Sequence, residues 1–509
     1  MSDRTGSFDS IVARERGLRP RLSARRMTMI AIGGAIGTGL FLGSGLAISL
    51  AGPAVLLSYA TGALIALLLV GCLAEMTVAH PTSGSFGAYA EYYVGPLAGF
   101  LVRYAYWTCI VLAVGTEVTA VALYMRLWFP AVPGWPWIIG FSALLILVNA
   151  LSVNVFGAVE YWFSAVKVGA IVLFIALASY LLARAPAPLS TAGAPSGGAG
   201  FHNYFDHGGF LPHGIWGAWV AVIVAIFSYL SIEMIAVAAG EAAQPEVAVT
   251  RAFRATLLRL VLFYLLTLAL VLALVPWTLA GVDESPFVKV MRALAVPGAA
   301  GIFNLIILVA ALSAMNSQLY ITTRMMFSLA RAGFAPRRLG VLSARGVPLQ
   351  ALLLSSIGIA VAAVMSVVAT KSAFVLMVAI SSFGAMFTWL MIFVTHYCFR
   401  RARARAAEPP LRFRMRGFPV TTVLGAALMA AVLATTAFTD AFRLTLAFGL
   451  PFIGLLCATY WLCYRRQAAG DAVSSALHGK EPGNGHQSDS GRLQHGDTVP
   501  DRQGRGRGD

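Results

Sequence analysis

The chain has 509 residues, of which 59% are apolar and only 11% carry a charge. Soluble domains are roughly a quarter charged, so this composition excludes an ordinary soluble protein and predicts a polytopic helical membrane protein. The formal net charge of +16 does not indicate a nucleic-acid partner, because the basic residues lie at the termini and in alternate loops. The five cysteines lack the paired spacing of disulfides or metal ligands. We therefore predict no metal and no cofactor.

Twelve apolar stretches follow one another along the chain, each of about 20 residues or more, the length that crosses a bilayer. The predicted spans are 27–50, 53–76, 97–125, 135–155, 160–183, 215–239, 256–280, 300–328, 349–369, 373–398, 419–438 and 443–464. Residues 1–26 are expected to form a basic cytoplasmic segment without a cleavable signal. Residues 465–509 are polar and glycine-rich, which predicts a disordered cytoplasmic tail.

Lysine and arginine are divided unevenly between the two sets of loops. One set contains arginine clusters within 14–26, 331–345 and 400–416, whereas the other set contains only scattered basic residues. The positive-inside rule places the arginine-rich set, and with it both termini, in the cytoplasm. An even number of spans requires the same arrangement.

Two of the connections are longer than a simple turn. Residues 80–96 are rich in small and aromatic side chains. They predict a short interfacial helix over Ser85–Tyr93, with an ordinary loop as the alternative. The connection Arg184–Gly214 is full of Pro, Gly, Ser and Ala and is predicted to be flexible.

The middle of the first span carries Gly33, Gly34, Gly37 and Gly39, with Thr38 between the last two. Each glycine inside a helix costs about 1 kcal/mol relative to alanine, so the cluster favours an unwound backbone. Lipid tolerates unwound backbone only where protein or a water-filled cavity satisfies its polar groups. Freed N–H groups and the positive end of a half-helix can bind a carboxylate. The alternative is that these glycines let another helix approach closely.

The sixth span contains Phe227-Ser-Tyr-Leu-Ser-Ile-Glu-Met234, which places two hydroxyls, a phenol and a carboxylate deep in the membrane. An intramembrane acid is costly and marks a functional site by default. Glu233 is therefore a candidate substrate-binding residue. Glu241 follows near the interface, where a role at the helix end or in an ion pair is expected.

Two further charges lie inside spans, Glu117 in the third and Lys167 in the fifth. Glu117 has no route to the interface and must be neutral, paired or hydrated, which favours a functional role. Lys167 lies close enough to the cytoplasmic start of its span to extend to the interface. The alternative for Lys167 is a proton carrier inside the bundle. Both residues are candidates for proton coupling.

Several stretches of the chain resemble bacterial amino acid permeases of the amino acid–polyamine–organocation superfamily. In chain order they are Arg26–Gly45, Pro81–Phe86, Gly95–Phe100, Glu160–Phe163 with Lys167, Ala239–Glu241 and Ser313–Ser317. The resemblance runs from about Leu22 to Tyr464. It implies an all-α integral membrane fold of twelve transmembrane helices with helices 1 and 6 broken. The ten-helix core over 27–398 would consist of two five-helix inverted repeats, about 27–183 and 215–398, with two peripheral helices over 419–464.

In such transporters the two broken helices hold the head groups of the amino acid near the midplane. The resemblance therefore implies that Ile36–Gly39 bind the carboxylate, and that carbonyls near Phe227–Ser231 and at Ala35 bind the ammonium. The complete predicted substrate-binding set is Ala35, Ile36, Gly37, Thr38, Gly39, Phe227, Ser228, Tyr229, Ser231 and Glu233. Lys167 matches a family lysine that is thought to couple proton movement. Many close relatives read Phe-Gln-Gly-Thr-Glu where this chain reads Tyr229-Leu-Ser-Ile-Glu233, so no relative's substrate is carried over.

These observations predict a secondary active transporter, not an enzyme, that imports an amino acid by proton symport across the bacterial inner membrane. The alternative on the same fold is an exchanger that trades one amino acid or its amine for another. A non-transporting amino acid sensor would need a signalling domain, and the tail shows no pattern of one. The predicted partners are a small amino acid, protons and the lipid bilayer, with no nucleic acid. The sequence leaves open which amino acid is carried.

Overall fold

The computed structural model describes residues 8–15, 29, 34–184, 199–239, 245–279, 284–293, 298–368, 372–409, 411 and 413–464, with the side chains of 245–252, 254–260 and 293 left undescribed. The predicted disordered tail and Glu241 both lie outside these residues.

The described residues form helices and turns, and none of them lies in a β-strand. The α-helices in chain order are α1 (Phe8–Arg14), α2 (Thr38–Phe41), α3 (Gly43–Ala51), α4 (Val55–Ala79), α5 (Ser85–Tyr93), α6 (Pro96–Met125), α7 (Gly134–Leu151), α8 (Val153–Arg184), α9 (Gly214–Val220), α10 (Val222–Tyr229), α11 (Met234–Ala238), α12 (Pro245–Leu274), α13 (Pro286–Ala293), α14 (Ala299–Arg331), α15 (Leu349–Ser355), α16 (Ile357–Val368), α17 (Ala373–Arg405), α18 (Val420–Thr435) and α19 (Arg443–Thr459).

Ten helical stretches of the described chain are long and apolar enough to cross a membrane, and α12 adds a shorter apolar run, Val261–Leu274. The stretch Gly43–Ala79 contains the end of the first predicted span and all of the second. These two parts are joined by a tight turn at Gly52, whose φ of +60° favours glycine. These helices confirm the predicted all-helical membrane fold. A helix suits lipid because it satisfies the hydrogen bonds of its own backbone.

Burial differs sharply between the spans. The most apolar window of the sixth span, α9 to α11, is entirely enclosed by other helices, whereas only 17% of the corresponding window of the last span is buried. The third span, α6, is also largely enclosed. The sixth span therefore lies in the centre of the bundle, where protein groups can satisfy an irregular backbone.

Both predicted helix breaks are present. In the first span the backbone is extended at Gly37, with φ −129° and ψ −151°, and α2 begins at the next residue. In the sixth span α10 ends at Tyr229, Leu230 is extended with ψ 151°, and Ser231 has a φ of +76°. The second half-helix, α11, begins at Met234.

The two long connections give opposite outcomes. The helix predicted over Ser85–Tyr93 is present with the same bounds, as α5. The prediction of a flexible connection is wrong for residues 199–213, which form a 3₁₀ turn at Phe201–Tyr204. The side chain of Asn203 donates to the carbonyl of Ala273 at 2.9 Å and the hydroxyl of Tyr204 donates to that of Ala269 at 2.7 Å. These polar and aromatic side chains fix the segment on α12, while residues 185–198 lie outside the described chain.

The N-terminal helix α1 is docked against α5 and the start of α6. The ring of Phe8 stacks on that of His80 with centroids 4.1 Å apart. The carboxylate of Glu15, directly after α1, pairs with the fully buried guanidinium of Arg103 at 3.1 Å, and Arg103 also pairs with Glu91 at 2.7 Å. Burial alone would raise the pKa of the Glu91 carboxyl, but Arg103 and Arg14 outweigh it and lower that pKa.

Glu15 also accepts hydrogen bonds from two other parts of the chain, the turn before α5 and α14. It accepts from the hydroxyl of Thr82 at 2.7 Å, the backbone N–H of Gly84 at 2.6 Å and the hydroxyl of Ser328 at 2.9 Å. A buried carboxylate is stable only when its charge is paired and hydrogen-bonded. The basic segment predicted over 1–26 is thus in part a structured component of the bundle.

Candidate functional site

The backbone groups freed by the first break are satisfied by side chains from three other helices. The ammonium of Lys167 on α8 donates to the carbonyl of Ile36 at 2.9 Å. The backbone N–H of Thr38 donates to the carboxylate of Glu117 on α6 at 3.2 Å. The hydroxyl of Tyr264 on α12 lies 2.7 Å from the carbonyl oxygen of Ala35. An ammonium, a carboxylate and a phenol therefore meet at one short segment of irregular backbone.

Glycine is required in this segment because neighbouring helices approach the backbone directly. A Cβ atom at Gly37 would lie 2.6 Å from an oxygen of Glu117 and 2.7 Å from the Cβ of Ala314. A Cβ atom at Gly39 would lie 2.7 Å from the Cα of Ser228. These distances are shorter than van der Waals contact, so the two alternatives for the glycine cluster, an unwound helix and close helix packing, are both realised.

In the sixth span, a residue of the break itself, Glu233, satisfies the backbone N–H that the break leaves free. The carboxylate of Glu233 accepts from the backbone N–H of Ser231 at 3.1 Å, from the hydroxyl of Tyr106 at 2.7 Å and from the indole N–H of Trp389 at 3.3 Å. Glu233 is completely buried. The hydroxyl of Ser231 is buried without a hydrogen-bond partner among the described residues.

The two breaks meet at Tyr264. Its hydroxyl lies 2.7 Å from the carbonyl oxygen of Ala35 in the first span and 2.9 Å from that of Ser228 in the sixth. The side chain of Ser228 is 2.9 Å from the hydroxyl of Tyr59, and Tyr229 donates to the carbonyl of Tyr59 at 3.3 Å. The structure thus brings together the predicted residues around Ala35 and Ser228.

Two predicted residues are placed differently from the rest. The carbonyl of Phe227 accepts the N–H of Leu230 at 3.2 Å, so it is engaged at the end of α10. Glu233 makes its hydrogen bonds to Ser231, Tyr106 and Trp389, which are residues of the third, sixth and tenth spans. Their roles in binding substrate stay predictions.

Lys167 points into the bundle and is completely buried. Both Glu117 and Glu160 are close enough to interact electrostatically with its ammonium. A buried charge is strongly unfavourable unless it is paired, and these two carboxylates offset the charge of the lysine. The interfacial alternative for Lys167 is not realised in this structure.

Sequence reasoning assigned no role to Glu160 on α8, which belongs to a buried polar network shared with α7 and α14. It accepts from Ser313 at 2.5 Å and from Asn316 at 2.9 Å, both on α14. Asn316 in turn accepts from Asn149 on α7 at 2.9 Å. Glu160 and Lys167 are seven residues apart and therefore lie on one face of the helix. That spacing is the available signal, but the predicted span begins at Glu160, which puts this residue at the edge of the membrane.

Within the described part of the chain, no three His, Cys, Asp or Glu side chains are grouped so that they could hold a metal ion. The site consists instead of backbone polar groups, one lysine, three carboxylates and several tyrosines.

Comparison with known proteins identifies the family. The model of the family described as "Amino acid permease" matches residues 26–470. The chain belongs to this amino acid permease family.

Three relatives illustrate the range of named functions. The permease is 36% identical over 467 residues to "Gamma-aminobutyric acid permease" of Bacillus subtilis (strain 168), covering 92% of this chain and 98% of that protein. It is 38% identical over 443 residues to "Putative histidine permease" of the same organism, covering 86% and 92%. It is 36% identical over 451 residues to "Aromatic amino acid transport protein AroP" of Salmonella typhimurium (strain SL1344), covering 89% and 96%.

The family membership and the fold agree. The permease is a multi-pass membrane protein of a family of transporters, not of enzymes. Its relatives carry names that differ in the amino acid, so amino acid transport is the property they share.

Proposed function

We propose that the permease imports an amino acid by proton symport across the bacterial inner membrane, with both termini in the cytoplasm. One observation carries this proposal: the ammonium of Lys167 donates to the carbonyl of Ile36 inside the first helix break, at 2.9 Å. A titratable cation is thereby bonded to the same backbone segment that would receive the substrate.

The coupling follows from the chemistry of this hydrogen bond. A protonated Lys167 holds the Ile36 carbonyl, whereas a neutral amine gives up the charge that strengthens the bond. Proton release would therefore loosen the first span from α8. If substrate release also requires movement of the first span, the two events become thermodynamically linked.

The substrate would bind through its head groups. Its carboxylate would bind at Ile36–Gly39, where the N–H of Thr38 now donates to Glu117. Its ammonium would bind to the carbonyls of Ala35 and Ser228, which already face one common donor. The relatives are named for γ-aminobutyrate, histidine and aromatic amino acids. These amino acids differ in side chain and in the distance between amine and carboxylate. They share a carboxylate and an amine, the groups that backbone N–H and C=O recognise.

The test is uptake into proteoliposomes by the wild type and by Lys167→Ala and Lys167→Arg. The transported amino acid is first chosen by the shift in melting temperature with each of the twenty amino acids and γ-aminobutyrate. With an inside-alkaline gradient, the wild type should concentrate this substrate. Both variants should lose concentrative uptake, since arginine keeps its proton at every accessible pH.

Lys289→Ala is the matched control, because Lys289 also donates to a backbone carbonyl, that of Leu279 at 2.7 Å, but outside the breaks. It should retain uptake. If Lys167→Ala still concentrates substrate, the coupling role passes to Glu117. If uptake by the wild type does not depend on the proton gradient and requires substrate preloaded inside the proteoliposomes, the permease is an exchanger.

A further inference from the structure

Tyr264 holds the two broken spans together through one hydroxyl group. Its oxygen lies 2.7 Å from the carbonyl oxygen of Ala35 and 2.9 Å from that of Ser228. The side chain is completely buried. Its ring packs against those of Tyr229 and Tyr59, with centroids 5.0 and 6.1 Å away. These ring contacts orient the hydroxyl towards the two carbonyls.

The number of protons does not match the number of acceptors. A phenol has one O–H donor, so it can satisfy one of the two carbonyls fully or share its proton between both. Buried carbonyl groups are nearly always hydrogen-bonded, and leaving one without a full donor is unfavourable. A primary ammonium brings three N–H donors and can satisfy both carbonyls at once. The pair of carbonyls is better matched to an ammonium than to the phenol that now occupies it.

We infer that the Tyr264 hydroxyl is a placeholder for the substrate ammonium, which displaces it from the Ala35 and Ser228 carbonyls on binding. This inference rests on the proposed function and adds a positioning residue with a consequence for specificity. A ligand must supply more N–H donors than the phenol it displaces. Amines with two or three N–H groups in the charged form meet this requirement, whereas tertiary ammonium groups, with one N–H, gain nothing over the phenol.

The decisive variant is Tyr264→Phe, which keeps the ring and removes the hydroxyl. In the empty variant the two carbonyls lose their donor, and the substrate no longer has to displace a hydrogen bond. The substrate should therefore bind about fivefold more tightly, equivalent to about 1 kcal/mol. The empty variant should also melt at a lower temperature than the empty wild type. Kd is measured by calorimetry on purified full-length protein with the amino acid found in the melting screen.

Tyr204→Phe is the matched control, since the Tyr204 hydroxyl donates to a backbone carbonyl of the same helix, that of Ala269 at 2.7 Å. Its Kd should equal that of the wild type. A Kd for Tyr264→Phe that is unchanged overturns the inference, because the hydroxyl then stays in place. A weaker Kd also overturns it, because the hydroxyl then acts as a ligand of the substrate.

A second measurement varies the substrate instead of the protein and compares the wild type with Tyr264→Phe. The N-methyl and N,N-dimethyl derivatives of the same amino acid retain two and one N–H donors in the charged form. Wild-type binding should persist with the first and be lost with the second, and Tyr264→Phe should narrow the gap between them. Equal binding of both derivatives by the wild type contradicts the inference.

If neither the wild type nor Tyr264→Phe binds any amino acid, the proposed function itself fails. If the wild type binds and the variant does not bind more tightly, only the placeholder role fails.

Discussion

The first and sixth spans are both interrupted, yet their breaks are built from different residues and closed in different ways. The first break contains glycine, and its polar groups are satisfied by Lys167, Glu117 and Tyr264 from three other helices. The sixth break has no glycine at its turn, where Ser231 adopts a φ of +76°. Its free N–H is satisfied two residues away by Glu233.

This difference suggests that the hydrogen-bond partners of the first break can be exchanged, whereas those of the turn at Ser231–Glu233 are fixed. Bonds to side chains on other helices can be released when those helices shift, and the partners at the first break can gain or lose protons or be replaced by substrate groups. A carboxylate within the same turn, held by Tyr106 and Trp389, moves together with the backbone that it satisfies. We therefore expect the first break to rearrange during transport, while the turn at Ser231–Glu233 of the sixth span keeps its shape.

The largest expected effect comes from Gly37→Ala at the exchangeable break. The new methyl group would overlap Glu117 and Ala314, since a Cβ there lies 2.6 and 2.7 Å from their atoms. Substrate affinity measured by calorimetry should fall by about a hundredfold or more, equivalent to about 2.8 kcal/mol. Gly169→Ala is the control, because a Cβ at Gly169 meets no atom within 4 Å. Normal affinity in Gly37→Ala would mean that the glycines serve packing alone and that the site lies elsewhere.

An intermediate effect is expected from Glu233→Gln at the fixed break. Glutamine can still accept from Ser231 and Tyr106, but its amide would present a donor to the indole N–H of Trp389. A mismatched buried polar group costs about 1–3 kcal/mol, so the melting temperature should fall while the substrate profile changes less than in Gly37→Ala. A change in affinity or selectivity of more than about tenfold at an unchanged melting temperature would instead make Glu233 a substrate ligand.

The smallest effect is expected from Ser231→Gly. A non-glycine residue in the left-handed region costs about 1–2 kcal/mol, and glycine removes that strain while keeping the carbonyl through which Ser231 is predicted to bind the ammonium. The melting temperature should stay the same or rise slightly, and Kd should stay within about twofold of the wild type. A loss of affinity of tenfold or more would show that the serine hydroxyl, rather than the backbone, contacts the substrate.

The glycine cluster allowed the first break to be predicted from the residues themselves. The buried acid of the sixth span indicated a functional site, and the break in that span was implied by the family resemblance. The bounds of α5 agree with the sequence prediction. The burial of Lys167 selects one of the two alternatives that the sequence left open, a position inside the bundle. Tyr264 and Tyr59 could not be found in this way, since a tyrosine among leucines is indistinguishable from ordinary aromatic packing until the partners of its hydroxyl are known. Glu160 was missed because its span begins seven residues earlier, at Val153.

The docking of α1 bears on how the protein can be produced. Removing the residues up to Glu15 would leave the guanidinium of Arg103, which is fully buried, with Glu91 as its remaining carboxylate partner among the ion pairs described above. Breaking a buried ion pair by deleting one member costs about 3–5 kcal/mol, a large fraction of the stability of a typical protein. N-terminal truncations intended to shorten the chain should therefore stop before Phe8. An affinity tag or fluorescent fusion at that end needs a linker long enough to leave residues 8–15 in their place.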